Sequence, residues 1–249
     1  MEHALSHEAG EAWLRSWDAQ QEGYLPDREQ RLSYLAELVP RPPDRTPSVL
    51  DLACGPGSVT QRLFHHHHDA TVVAIDLDPV LLTIYRAVHP NVDVVEADLR
   101  DPSWTRKLPE VGPFDAVVTA TALHWLPATV LPRLYAQLRE LLAPGGVFLN
   151  ADHAPLPSSL LSDRCREADQ RELASLPGHR YDWTSWWASV GRDEHLAVLV
   201  DERDRRFADR TDEFTPPAEW QLAALTTAGF REAEVVWRRG GDAIVAAAR

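Results

Sequence analysis

Between about residue 48 and residue 150, short apolar runs alternate with stretches whose apolar positions recur at helical spacing. "SVLDLA" (48–53), "TVVAID" (71–76), "VDVVEAD" (92–98), "FDAVVTA" (114–120) and "GVFLNAD" (146–152) read as strands. "SVTQRLF" (58–64), "PVLLTIYRAV" (79–88) and "TVLPRLYAQLRELL" (129–142) read as the helices between them. The alternation predicts an α/β fold: a Rossmann-like, doubly wound sheet with right-handed crossovers. Ahead of it, residues 11–20 and 27–39 read as two helices, split by "EGYLP" and closed by the linker "PRPPDRTP". Behind it, residues 154–214 are poorly patterned and hold Trp183, Trp186 and Trp187. The chain closes on a helix, "PAEWQLAALTTAGF", and two strands, "REAEVVW" and "DAIVAAA", whose "RRGG" connection predicts a hairpin.

Composition narrows what such a fold serves. With 249 residues, 44% of them apolar, the chain has enough material for one packed domain with elaborations. No run of about 18 apolar residues is present to span a membrane. The opening "MEHALSHEAGEAWLRSWD" lacks the basic start and apolar core of a secretory signal, so the expectation is a cytoplasmic protein without a membrane partner. The two cysteines, Cys54 and Cys165, fit reduced thiols. A formal charge of −13 repels a phosphate backbone, which argues against nucleic-acid partners. His65 to His68, the one low-complexity patch, is expected to be a solvated helix end.

The chemistry starts at "VLDLACGPGSVTQRL" (49–63). A turn from a parallel strand into a helix, with Gly55 and Gly57 in it, lets the backbone approach a ligand at the carboxyl edge of the sheet. Asp76 closes the next strand, where a carboxylate can accept hydrogen bonds from ribose hydroxyls. Together they imply a nucleoside-containing cofactor. A dinucleotide-dependent dehydrogenase would carry a third glycine entering the helix, where Val59 and Thr60 stand here.

On these motifs the chain resembles the class I S-adenosylmethionine-dependent methyltransferases. Their first motif is matched by Asp51, Gly55 and Gly57, with Ala53 where a glycine often stands, a change that a turn of negative φ would tolerate. Asp76, followed by Leu77, matches the second motif. In "VVEADLRD", Asp98 aligns with the acid that caps the adenine amino group, and Leu99 follows it. "FDAVVTATALHWL" matches the fourth, placing Thr119 and Ala120 near the methionine part. The resemblance covers roughly residues 48–150 and 217–248. It implies a seven-stranded sheet with the last strand antiparallel, S-adenosylmethionine as cofactor and S-adenosylhomocysteine as product. It also implies a division into N-terminal lid helices (1–47), a core (48–153 and 215–249) and an inserted acceptor-side cap (154–214).

Methyl transfer from a sulfonium demands alignment and exclusion of water, and a base only where the acceptor must lose a proton. His124, just past the fourth strand, is a candidate base or a positioning residue beside Trp125; His153, paired with Asp152, is the second candidate. Such an Asp-His pair could also hold a metal. The catechol-type pattern needs a further acid after the fourth strand, where Thr119 and Thr121 stand, so no metal is expected. Trp183, Trp186 and Trp187 are candidates either for cap packing or for contact with an aromatic or apolar acceptor. "WDAQQEGYLPDREQR" resembles the lid helices of small-molecule members. Tyr24 could cover the cofactor there. Arg28 could pair with its methionine carboxylate, or with Asp27 or Glu29 on the helix surface. The expected function is methylation of a small organic O-, N- or C-nucleophile by a monomer or homodimer. A cyclase or sensor that binds the cofactor without methyl transfer is the alternative.

Overall fold

The computed structural model describes residues 5–175, 182–209 and 213–249. In chain order its elements are α1 (His7–Glu22), α2 (Arg28–Glu37), β1 (Ser48–Leu52), α3 (Ser58–His66), β2 (Thr71–Asp76), α4 (Pro79–Val88), β3 (Asp93–Glu96), β4 (Phe114–Ala120), α5 (Leu131–Leu141), β5 (Leu142–His153), α6 (Ser159–Ser175), α7 (Trp183–Val190), α8 (Val200–Arg206), α9 (Ala218–Thr227), β6 (Glu232–Arg239) and β7 (Asp242–Ala248).

Seven strands form one sheet in the order β3-β2-β1-β4-β5-β7-β6. β1 to β5 pair in parallel, and β7 runs antiparallel to both β5 and β6. Parallel strands need helices on both faces, which is why their apolar runs are continuous rather than alternating. Leu50, Val73 and Val117 point to one face, where Leu134 and Leu138 of α5 and Leu225 of α9 cover them. Val49, Val72 and Val118 point to the other, against Leu32 and Leu35 of α2 and Val59 and Leu63 of α3. α2, expected in the lid, is therefore a layer helix of the core. The expected solvated histidine end is also corrected. His66 hydrogen-bonds Ser33 at 2.8 Å, and buried His67 hydrogen-bonds the Ala36 carbonyl at 3.0 Å, so the run docks α3 onto α2.

A third apolar cluster joins α1, α4 and α7 through Leu14, Ile84, Trp186 and Val190. Trp186 lies edge-on to Trp13 and Trp17, 5.5 and 5.0 Å between ring centroids, and is fully buried. α8 lies beyond, across the ends of β2 and β3: Arg203 pairs with Asp78 at 2.8 Å, and Arg206 pairs with Glu96 at 2.8 Å and donates to the Leu77 carbonyl at 2.9 Å. The insertion, expected to stand over the acceptor, thus reaches the ends of β2 and β3. Tyr181 of the aromatic stretch lies outside the described residues. Among the described residues both cysteines are free, and no helix is long and apolar enough to cross a membrane.

Candidate active site

The turn after β1 is held by strain and by buried acids. Ala53 has φ +54°, a left-handed conformation in place of the expected negative φ, and Gly55 shares it. Gly57 has φ +104°, and a Cβ there would lie 2.8 Å from the His89 ring. Its hydrogen is needed for the close approach of α4, and it does not line the cavity described below. Asp51 is likewise internal: it accepts a 2.6 Å hydrogen bond from Thr60 Oγ1, and burial pushes its carboxyl up to about 7. Asp76 binds the strand ends together. Its Oδ2 accepts from Gly55 N at 2.8 Å, and its Oδ1 accepts from Leu77 N and Asp78 N. Burial raises its pKa against the effect of these bonds.

Above this turn opens a cavity of about 570 Å³, a size suited to a cofactor plus a small acceptor. One end is lined by Ala53, Gly55, Asp76, Leu77, Asp98 and Leu99, the other by Tyr24, Arg28, His124, Trp125 and His153, with Ala120 between and Trp183 and Trp187 along the insertion. Four sequence candidates stand elsewhere. Asp51 and Gly57 are accounted for above. Thr119 points off the cavity because the strand pleat alternates, and Thr121 and Ala122 line it instead. Trp186 belongs to the α1-α4-α7 core. Asp98 lines the wall with both oxygens already accepting from Arg100 Nε, at 3.0 and 2.9 Å. Arg28 pairs with neither Asp27 nor Glu29: its Nη1 donates to Asp18 at 2.8 Å, and Asp18 also accepts from Ser58 and Arg62. Tyr24 accepts from Trp183 N at 2.9 Å, closing the wall between the N-terminal segment and α7.

The far end holds two histidine–aspartate pairs, coupled differently from the sequence expectation. Asp152 serves His124, not its neighbour His153: Oδ1 accepts from His124 Nδ1 at 2.7 Å. His153 Nδ1 instead donates to Asp242 Oδ1 at 2.7 Å, across the β5-β7 ladder where the two residues stand opposite each other. A carboxylate only accepts, so each ring carries its hydrogen on Nδ1. The two rings lie 5.0 Å apart. Burial pushes the Asp152 carboxyl up, but its hydrogen bond and charge interaction with His124 outweigh that and hold it below the usual range. His153 is raised, first by its hydrogen bond to Asp242.

His124, Asp152 and His153 each place a donor atom within 4.8 Å of the others, the composition of a metal site. Asp152 is committed, however: Oδ1 accepts from His124 Nδ1 and His153 N, and Oδ2 from His124 N. Sequence reasoning missed Asp242, Thr121 and Arg203. Asp242 became visible only once strand register was fixed, and Arg203 sits in the unpatterned segment.

Residues 49–146 match the methyltransferase domain family. The trans-aconitate 2-methyltransferase of Azoarcus sp. (strain BH72) is 36% identical over 137 residues, 54% of this chain and 49% of that protein. The chain spans about half the length of the first curated relatives it matches. An O-methyltransferase family protein from Burkholderia thailandensis superposes with a TM-score of 0.60 at 16% identity, over 99% of this chain and 63% of that one. Human N-acetylserotonin methyltransferase, solved with S-adenosylmethionine, superposes with a TM-score of 0.52 at 17% identity, over 95% and 66%. Residues 49–146 thus match a methyltransferase domain, on a sheet and glycine turn with the fold of the solved class I, Rossmann-like methyltransferases.

Proposed function

We propose that the chain transfers a methyl group from S-adenosylmethionine to a protic oxygen of a small organic acceptor, releasing S-adenosylhomocysteine, without a metal. The observation that carries this reading is the carboxylate-backed His124 on the wall of the same cavity that holds Asp76 and the glycine turn. S-adenosylmethionine supplies, when bound, an electrophilic methyl on a sulfonium leaving group.

The chain's residues fit that group. Asp76 Oδ2 accepts a single bond in the fold, leaving a lone pair for a ribose hydroxyl. Leu77, Asp98 and Leu99 frame the base, and Ala53, Gly55 and Ala120 form a floor with small side chains. Arg28, buried and oriented by Asp18, would pair with the methionine carboxylate, and Tyr24 lines the same cavity. His124 Nε2 takes the acceptor's proton, and Asp152 stabilises the imidazolium and fixes its tautomer. His153 is the second polar contact. Trp125, Trp183 and Trp187 flank the acceptor and exclude water, with α7 and α8 as its cover.

The test is incubation with S-adenosylmethionine labelled in the methyl group and a pool of small organic acids, phenols and alcohols. Label should appear in a low-mass product with an equal yield of S-adenosylhomocysteine. Tight binding of the cofactor without label transfer to any of them would replace this reading with a binding protein.

A further inference from the structure

The far end of the cavity holds more charge than a single base requires. Asp152 is buried beneath the two imidazoles and Asp242 is mostly buried, while Arg31 of α2 is the cation behind them, with Nη1 3.4 Å from Asp242 Oδ1. Arg31 is almost wholly buried and, among the described residues, its guanidinium makes no hydrogen bond of good geometry, so it acts on Asp242 mainly as a positive charge. Two carboxylates, Asp152 and Asp242, thus stand against one guanidinium and two imidazoles. Asp242 accepts from His153 Nδ1, and this bond, with the charges of Asp242 and Asp152, raises the His153 pKa. Among the described residues, the other groups facing His153 are Arg31, which opposes the proton, and the His124 ring 5.0 Å away.

Both rings line the cavity, each with its own carboxylate on Nδ1: Asp152 for His124 and Asp242 for His153. We propose that Asp242, backed by Arg31, makes His153 an anchoring hydrogen-bond donor, and that the acceptor is a hydroxy acid whose hydroxyl meets His124 while its carboxylate meets His153. The inference rests on the methyltransferase reading and names its acceptor class. In it the carboxylate is held and the hydroxyl is methylated: the new bond is from hydroxyl oxygen to methyl carbon, the methyl–sulfur bond breaks with its electron pair left on sulfur, and the hydroxyl proton goes to His124. A carboxylate nucleophile would need no base, and the His124–Asp152 pair would then have no proton to take.

The experiment uses the full chain, saturated with S-adenosylhomocysteine and labelled with ¹⁵N at histidine, and His124 and His153 signals assigned from His124→Gln and His153→Gln. His153 should be doubly protonated at pH 7, and Asp242→Asn should lower its midpoint by about one unit, with Asp242→Glu restoring it. Salicylate, mandelate and malate are the probes, each paired with its analogue lacking the carboxylate. At least one hydroxy acid should move both signals, bind about tenfold more weakly to Asp242→Asn, and outcompete its carboxylate-free analogue. With any of them as a turnover substrate, Asp242→Asn should raise KM by a larger factor than it lowers kcat. A neutral His153 at pH 7, no binding by any of the three, or equal affinity with and without the carboxylate overturns the proposal. Should Asp242→Asn not fold, His153→Gln must show the same loss of preference. Calorimetry with S-adenosylhomocysteine fails separately: weak cofactor binding with an intact His153 pattern overturns the methyltransferase reading alone.

Discussion

Asp152 and His124 are joined by two hydrogen bonds across 28 positions of chain: Nδ1 to Oδ1 at 2.7 Å and backbone N to Oδ2 at 3.2 Å. The pair ties the end of β5 to the short 3₁₀ turn after β4, so the carboxylate on the strand fixes the ring on the turn. Asp152→Asn keeps the volume but removes the charge that selects the ring's tautomer. Turnover should fall by about 10² to 10⁴, the scale of general-base loss, with S-adenosylhomocysteine affinity within a few-fold of the parent. A few-fold fall in single-turnover rate would assign the pair to positioning.

Asp76 carries the architecture of the turn and, in the proposed reading, cofactor binding. Asp76→Ala should weaken S-adenosylhomocysteine binding by about 1.5 to 3 kcal/mol, the range for a hydrogen bond to a charged group. Because Gly55, Leu77 and Asp78 lose their acceptor as well, the melting temperature should fall too. Titration calorimetry and a thermal melt on the same preparation check both.

Trp186 and Trp187 are adjacent in sequence and different in consequence. Trp186→Ala empties a packed core and should cost about 3 to 5 kcal/mol of stability. Trp187 faces the cavity under the Arg203 guanidinium, 3.7 Å from its ring centroid. Its replacement by Ala should cost less stability and raise the acceptor's KM. Chemical denaturation separates the two, and equal losses of stability would refute the assignment.

Stability should decline on both sides of neutrality. Burial opposes the ionised form of Asp18, but Arg28 and Arg62 outweigh it, so its folded pKa is depressed. Its contribution is present above the unfolded value of about 3.9 and is lost as pH falls through the lower folded one. The folded pKa of His153 is raised, so its contribution is full below the unfolded value of about 6.5 and is lost as pH rises through the folded one. Asp18→Asn should remove the acid-side decline of the melting temperature that depends on Asp18 and lower stability at pH 7. Asp242→Asn should flatten the alkaline side.

Periodicity was enough to place the sheet. β4 and α4 fall on the apolar runs residue for residue, and Gly55, Asp76 and Asp98 line the cavity where motif spacing put them. What escaped depended on contacts between distant segments. Thr119 and Ala120 are equally apolar in context, and only the pleat tells which one points into the cavity. Ala53 reveals no positive φ by its type. The partner of His153 lies across a hairpin, and proximity in sequence suggested Asp152. Trp183, Trp186 and Trp187 occupy one helix whose faces cannot be told apart until α1 is docked against it.

The insertion that carries α7 and α8 is fastened by two chemistries. Trp186, Val190 and Leu196 hold it by apolar packing on α1 and α4, whereas Arg203 and Arg206 hold it by charge to Asp78 and Glu96. Dissolved salt acts on these differently: it weakens ion pairs, least where they are buried, and leaves apolar packing in place. Ionic strength is thus a selective handle on the molecule, acting first on the more exposed Arg206–Glu96 pair while the buried Arg203–Asp78 pair and the aromatic anchor keep the helices aligned. The escape rate of a bound nucleoside should follow salt even where the melting temperature does not.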